Sequence, residues 1–175
     1  MPIRRLRPNE VALFRDLQLQ ALADAPTAFR ETLEDAQARS NDEWQQTVRS
    51  LTEDAQQIHL LAEKAGIAVG MIGGIRDRQD SNLTWVTSLW VQKNQRGQGI
   101  ASALLDTLLR WAHAQKKTRL RLRVTESNAT AIALYRRAGF REDGGRLRIP
   151  WHPSLYVLSM SLELPAASGK SYPVH

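Results

Sequence analysis

A chain of 175 residues is long enough for one compact domain and short for two, and its 42% hydrophobic and 24% charged residues are the balance of a water-soluble globular protein. The lack of any cysteine excludes disulfides, zinc–thiolate centres and a cysteine nucleophile. The net charge of +6 is unevenly spread: residues 1–87 carry 10 Lys/Arg against 13 Asp/Glu and residues 88–175 carry 14 against 5, so the second half is suited to a polyanion, either nucleic acid or a phosphate-rich cofactor.

In chain order, Pro2 to Leu6 is expected as a short strand. A helix follows from Asn9, read as its N-cap, with Val11, Leu13, Phe14, Leu17 and Leu22 at helical spacing and Pro26 as its stop. Glu31 to Arg39 is polar and acidic, a loop or an exposed helix. Ser40 with Glu43 has the capping-box spacing, and Trp44, Val48 and Leu51 form the apolar stripe behind it. Ile58 to Ala62 and Ile67 to Ile75 form a hairpin about a turn at Lys64 to Gly66. A polar turn at Asp77 to Asn82 leads to a longer strand, Leu83 to Val91. Gln95 to Gly99 is a tight loop, and Ile100, Leu104, Leu105, Leu108, Leu109 and Ala112 mark one face of the next helix. Arg119 to Val124 alternates three arginines with Leu120, Leu122 and Val124, a strand with one buried and one cationic face. Asn128 to Arg137 is a helix ending at Gly139, and Leu155 to Leu164 is the final strand. The pattern predicts one mixed α/β domain over residues 1–164 and a loose tail over 165–175. No apolar run reaches the roughly 20 residues of a bilayer span, and the basic start lacks the apolar stretch of a secretory signal, so a cytoplasmic protein without membrane partners is expected.

The chemistry concentrates at Arg96-Gly97-Gln98-Gly99-Ile100-Ala101, between a strand and an amphipathic helix. A glycine loop opening a helix exposes backbone N–H groups that have no internal partner, and the helix dipole favours phosphate oxygens there. A Walker loop requires Lys and Ser/Thr where Ile100 and Ala101 stand. A dinucleotide fingerprint requires an acidic residue about 20 positions on, where the next strand has Arg119, Arg121 and Arg123. Both readings fail on chemistry.

Arg-x-x-Gly-x-Ala after a strand, followed by Asn128-Ala129-Thr130-Ala131-Ile132-Ala133-Leu134-Tyr135-Arg136-Arg137-Ala138-Gly139-Phe140, resembles the GNAT superfamily of acetyl-CoA-dependent N-acetyltransferases. The resemblance is carried by residues 83–142 and by element order elsewhere. It implies a central mixed sheet flanked by helices, in which Leu83–Val91 and Arg119–Val124 are parallel neighbours that splay apart around the cofactor's pantetheine arm. Backbone groups at Leu89 and Val91 would pair with that arm, and Asn128 would hold it by its side chain. The amides of Arg96, Gly97, Gln98, Gly99, Ile100 and Ala101 would bind the pyrophosphate. Tyr135 would protonate the departing thiolate. Taken alone, Asn128 is a helix cap and Tyr135 a packing residue; their spacing after the loop favours the functional reading.

With no cysteine, direct transfer in a ternary complex is the simplest path, with a backbone N–H of the splayed strand at the thioester oxygen and CoA as product. Many family members carry a glutamate on the strand before the loop, whereas Thr84 to Trp90 contains no carboxylate; Glu126, His152 and Glu31 are the candidate bases, each with a bland alternative. Glu31, Glu34, Asp35, Asp42 and Glu43 would form an acidic rim for a cationic amine or a solvated helix face. Trp151-His152-Pro153 would line the acceptor pocket from the other side. Lys93, Arg96, Arg136, Arg137 and Arg141 flank the two motifs and could meet the 3′-phosphate of CoA, with no one of them singled out. The expected partner is a small-molecule or peptide amine, and family members often dimerise through C-terminal strands. The competing readings are a domain that binds acyl-CoA without catalysis and a basic nucleic-acid-binding module. The latter is disfavoured because the arginines lack interleaved aromatics or a recognition-helix pattern.

Overall fold

The computed structural model describes residues 1–150 and 152–165. Its elements in chain order are β1 (Ile3–Arg5), α1 (Val11–Asp24), α2 (Leu33–Ala38), α3 (Asn41–Glu53), β2 (Ile58–Lys64), β3 (Ile67–Arg76), β4 (Leu83–Val91), a 3-10 turn (Lys93–Gln95), α4 (Ile100–Ala114), β5 (Arg119–Thr125), α5 (Ala129–Arg137), β6 (Arg141–Ile149) and β7 (His152–Glu163). The strands form one seven-stranded sheet in the order β1-β2-β3-β4-β5-β7-β6, antiparallel except for the β4–β5 pair.

Helices cover both faces, and the alternation of each strand divides its side chains between two cores. Leu60, Ile72, Val86, Leu120 and Leu122 pack on one side with Leu104, Leu105 and Leu108 of α4 and with Ile132 and Tyr135 of α5. Leu61, Met71 and Trp90 pack on the other with Phe14, Leu17 and Leu22 of α1 and with Trp44 and Val48 of α3. The capping box of α3 forms as expected: Ser40 Oγ accepts from Glu43 N (3.2 Å) and Glu43 Oε2 from Ser40 N (2.7 Å). The turn joining β2 and β3 has both Ala65 (φ 51°) and Gly66 (φ 78°) in the left-handed region, the conformation that matches the twist of a two-residue hairpin.

Three expectations are corrected. Asn9 is not the N-cap of α1: Glu10 stands there and makes no side-chain cap, because its carboxylate accepts from the Arg4 guanidinium instead. The acidic stretch after Glu31, expected as a loop or an exposed helix, takes the second form as α2, capped by Thr32. Arg141–Ile149 is a strand that the polar and glycine-rich run Glu142 to Gly145 conceals; its register shifts between Glu142 and Arg146, where Gly144 adopts φ 85°. The last strand starts at His152 rather than Leu155, so His152 and Pro153 belong to a strand and not to a loop. Trp151 and residues 166–175 of the expected tail lie outside the described residues. Among the described residues no helix is long and apolar enough to cross a membrane, and no group of His, Asp and Glu is placed to hold a metal.

Candidate active site

The β4–β5 ladder is short. Leu83, Thr84 and Trp85 pair with Arg119, Leu120 and Arg121, and beyond that point the two strands share no pair. β5 is held from its other side by β7 along its whole length, Arg119 to Thr125. β4 is held by β3, but its register shifts after Thr87, and Ser88 takes a left-handed φ of 55°. This bulge gives β4 one extra residue and bends it away from β5. The expected splay is therefore present.

Strand alternation fixes which backbone groups face the gap. Gln92 N–H bonds to Val69 O on β3 (2.9 Å), so the Val91 carbonyl faces the opposite way, towards the gap. Arg96 Nε donates to that carbonyl (2.9 Å), and the same guanidinium pairs with Asp24 at the end of α1. Asp24 also accepts from the Trp90 indole N–H (2.9 Å). That bond, followed by Arg96, holds the Asp24 carboxyl below its ordinary range. Leu89, two residues back from Val91, packs partly buried against the α4-side core.

The loop after β4 has the geometry its glycines suggest. Gly97 (φ 75°) and Gly99 (φ 77°) are left-handed, and Gly99 is the N-cap of α4. A Cβ at either glycine would meet nothing within 4 Å, so both backbones border open space. Ala103 N–H closes the first helical bond, to Gly99 O (3.0 Å); the amides of Gly97 to Ser102 donate to no described residue. Six successive donors at a helix start form a cradle for anionic oxygens. Lys64, at the end of β2, pins the loop from outside by donating to Gln95 Oε1 (3.1 Å) and Gln98 Oε1 (2.7 Å). Thus Arg96, Gly97, Gln98, Gly99, Ile100 and Ala101 are gathered at one end of the splay.

Asn128 is the N-cap of α5; its Oδ1 accepts from Ala131 N (3.1 Å), so any ligand contact by this side chain falls to Nδ2. Tyr135 is buried in the α4-side core, its ring edge-on to Phe140 at 5.8 Å. Phe140 N–H returns to Tyr135 O (3.0 Å) around Gly139 (φ 96°), and this closure fixes the tyrosine's backbone. Burial pushes the Tyr135 phenol well above its ordinary pKa, so it keeps its proton at neutral pH.

The three candidate bases differ. Both Glu126 oxygens accept from Arg146 (2.8 Å each), and that pairing lowers its pKa. His152 is exposed at the start of β7, paired in register with Ile149. Glu31 lies in the loop between α1 and α2; burial raises its pKa although Arg39 sits 2.6 Å away. Thr125 Oγ1 donates to Thr27 O (2.6 Å), which ties that same loop to the end of β5. The acidic rim is largely engaged in local structure: Asp35 bonds Thr32, Glu43 closes the capping box and Glu31 pairs with Arg39.

His59 carries a signal that the reading of the sequence passed over: one polar residue inside the apolar run Ile58 to Ala62. It is fully buried, edge-on to Phe14 (5.1 Å), with Nε2 lacking a partner among the described residues. Burial lowers its pKa to about 4.

Comparison with known proteins agrees with this geometry. The sequence profile of the acetyltransferase (GNAT) family matches residues 19–140. A mouse protein, "Probable N-acetyltransferase family 8 member 5", is 32% identical over 87 residues; the match covers 48% of this chain and 38% of that protein, so the chain spans well under two thirds of this curated relative. Among solved structures, ribosomal-protein-alanine N-acetyltransferase from Brucella melitensis is 25% identical with a TM-score of 0.75, covering 94% of this chain and 100% of its own. A putative acetyltransferase from Salmonella typhimurium, solved with acetyl-CoA, has the same fold at 18% identity, with a TM-score of 0.78 and 98% of each chain covered. With its profile match spanning more than half its length, the chain belongs to the acetyltransferase (GNAT) family.

Proposed function

We propose that this protein transfers the acetyl group of acetyl-CoA directly to an amine. The observation that carries this reading is the row of unpartnered amides from Gly97 to Ser102, placed at one end of a parallel strand pair that parts after Trp85 and Arg121. A pyrophosphate fits such a cradle, and the bare glycine backbones leave it room. Leu89 and Val91 would present backbone groups to the pantetheine amides, with Arg96 giving up the Val91 carbonyl when the arm enters. Asn128 would add a donor from the start of α5. When bound, acetyl-CoA supplies the activated acyl group as a thioester.

The chain's own groups would handle the protons and the charge. A backbone N–H at the β4 bulge would donate to the thioester oxygen. Tyr135, held protonated by burial, would give its proton to the leaving sulfur. Glu31 is our candidate for receiving the amine's proton, directly or through water, because burial raises its pKa and Thr125 ties its loop to the end of β5. A basic nucleic-acid surface has less support. Arg119, Arg121, Arg136 and Arg146 are paired with Glu163, Asp143, Glu142 and Glu126.

Thiol release from acetyl-CoA over a panel of amines and peptides tests the reaction, with Tyr135→Phe alongside. The expected result is turnover with one acceptor class and a loss of about 100-fold or more in kcat for the variant. Heat stabilisation by acetyl-CoA should be equal in both proteins. Stabilisation without turnover for any acceptor would favour the acyl-CoA-binding alternative. Absence of stabilisation by CoA would overturn the reading of the Gly97–Ser102 cradle.

A further inference from the structure

The cationic face of β5 points away from α4, and at the end of the strand Thr125 bonds the loop that carries Glu31, the proposed base. Its three arginines are not equivalent. Arg119 pairs with Glu163 at 2.7 Å, and Arg121 pairs with Asp143 at 3.0 Å while donating to Ser159 Oγ at 3.1 Å. Arg123 bonds no carboxylate and no other acceptor among the described residues. Its contact is the Trp85 ring, 5.2 Å from the centroid, which Arg121 approaches to the same distance. That ring is anchored by its own N–H, which donates to Asp77 Oδ2 (2.9 Å). Arg123 is half-buried. A cation held partly out of water beside a like charge is unfavourable unless an anion completes it.

Its position says where that anion belongs. Trp85 and Arg121 form the last β4–β5 pair, so Arg123 is the first residue of this face beyond it, level with Thr87. The bulge at Ser88 and Leu89 lies one to two residues further, roughly 3–7 Å along the strand. An arginine side chain can span much of that gap, so an anionic group on Arg123 and an amine at the bulge can belong to one small molecule. The neighbouring acidic side chains, being already engaged, leave this site its positive character.

We propose that Arg123 is a specificity-determining residue that binds a carboxylate on the acceptor, so that the substrate is an amine carrying a carboxylate a few bonds from its nitrogen. This rests on the acetyl-transfer reading above and names the acceptor class for it. The guanidinium plane, steadied by Trp85, offers the paired N–H groups that match a carboxylate.

The test compares L-amino acids and short ω-amino acids with their carboxamides, in wild type, Arg123→Gln and Arg123→Lys. Thiol release is read together with heat stabilisation of the CoA-saturated protein by each compound. Acids should exceed amides by about tenfold or more in kcat/KM, as loss of a charge-assisted bond predicts. Arg123→Gln should erase that preference through KM, and Arg123→Lys should restore part of it. Equal handling of acids and amides by wild type, or a preference that survives Arg123→Gln, overturns the proposal while leaving the acetyltransferase reading intact. If no compound turns over, the heat-stabilisation arm decides: a carboxylate-dependent increment in wild type that Arg123→Gln loses supports the proposal, and no such increment overturns it. Failure of acetyl-CoA itself to stabilise the protein brings down both.

Discussion

His59 shows how one buried side chain can set the acid limit of a fold. In the unfolded chain its imidazole titrates at its ordinary value of 6.5, whereas in the folded protein burial brings it to about 4. Between those values the unfolded state binds the extra proton, so the stabilisation is present above the unfolded pKa and is lost as pH falls towards the folded one. Linkage gives a loss of about 2 kcal/mol between pH 7 and pH 5 from this residue alone. Urea unfolding at the two pH values checks this, with His59→Leu as the comparison. The variant should lose much less on acidification; an equal loss in both proteins would show that the exposed carboxylate pairs, not His59, control it. At this same scale the sequence was a partial guide. The N-cap position of Asn128 was legible locally, but the lone state of Arg123 was not. That state depends on Glu163 and Asp143 satisfying its neighbours from β7 and β6, contacts between residues 44 and 22 positions apart.

Among the elements, those with strong local signals were legible and those defined by partners were not. β4 was read to its full span, Leu83 to Val91, because a nine-residue stretch with six apolar residues stands between a polar turn and a glycine loop. β6 was missed because Asp143-Gly144-Gly145 breaks its alternation; only Leu147 and Ile149 between Arg146, Arg148 and Pro150 hinted at a strand. The bulge in β4 had no sequence mark, since Ser88 is not a glycine. The loop into α4 separates local from ligand effects. A Cβ on Gly99 meets no protein atom, so Gly99→Ala costs only the left-handed backbone penalty, about 1 kcal/mol. The same methyl would project into the space a pyrophosphate needs. The expected outcome is a fall of a few degrees in Tm without ligand and loss of most of the stabilisation by acetyl-CoA. A variant that is stabilised as strongly as wild type would place the pyrophosphate elsewhere.

Across the whole molecule, the fold pairs most acidic side chains of the basic half and leaves that half a surplus of cations. The second half has five acidic residues, of which Glu126, Glu142, Asp143 and Glu163 are each paired with an arginine. Of the basic residues of this half that pair with no carboxylate among the described residues, Arg137 ends α5 and Arg141 begins β6, both exposed beside the second motif. Charges so exposed act through solvent and are screened over about 8 Å at physiological ionic strength. If they meet the 3′-phosphate of CoA, affinity for CoA should fall as salt rises from 50 to 300 mM, and affinity for 3′-dephospho-CoA should fall less. Arg137→Ala combined with Arg141→Ala should bring the two ligands together in both affinity and salt slope. Titration calorimetry on the four protein–ligand pairs reads this directly. An unchanged gap between the ligands in the double variant would assign the phosphate to Lys93 or Arg96 at the other edge of the cradle. No gap even in wild type would mean that the cradle amides and strand backbones carry recognition, with the basic half of the chain serving its own ion pairs.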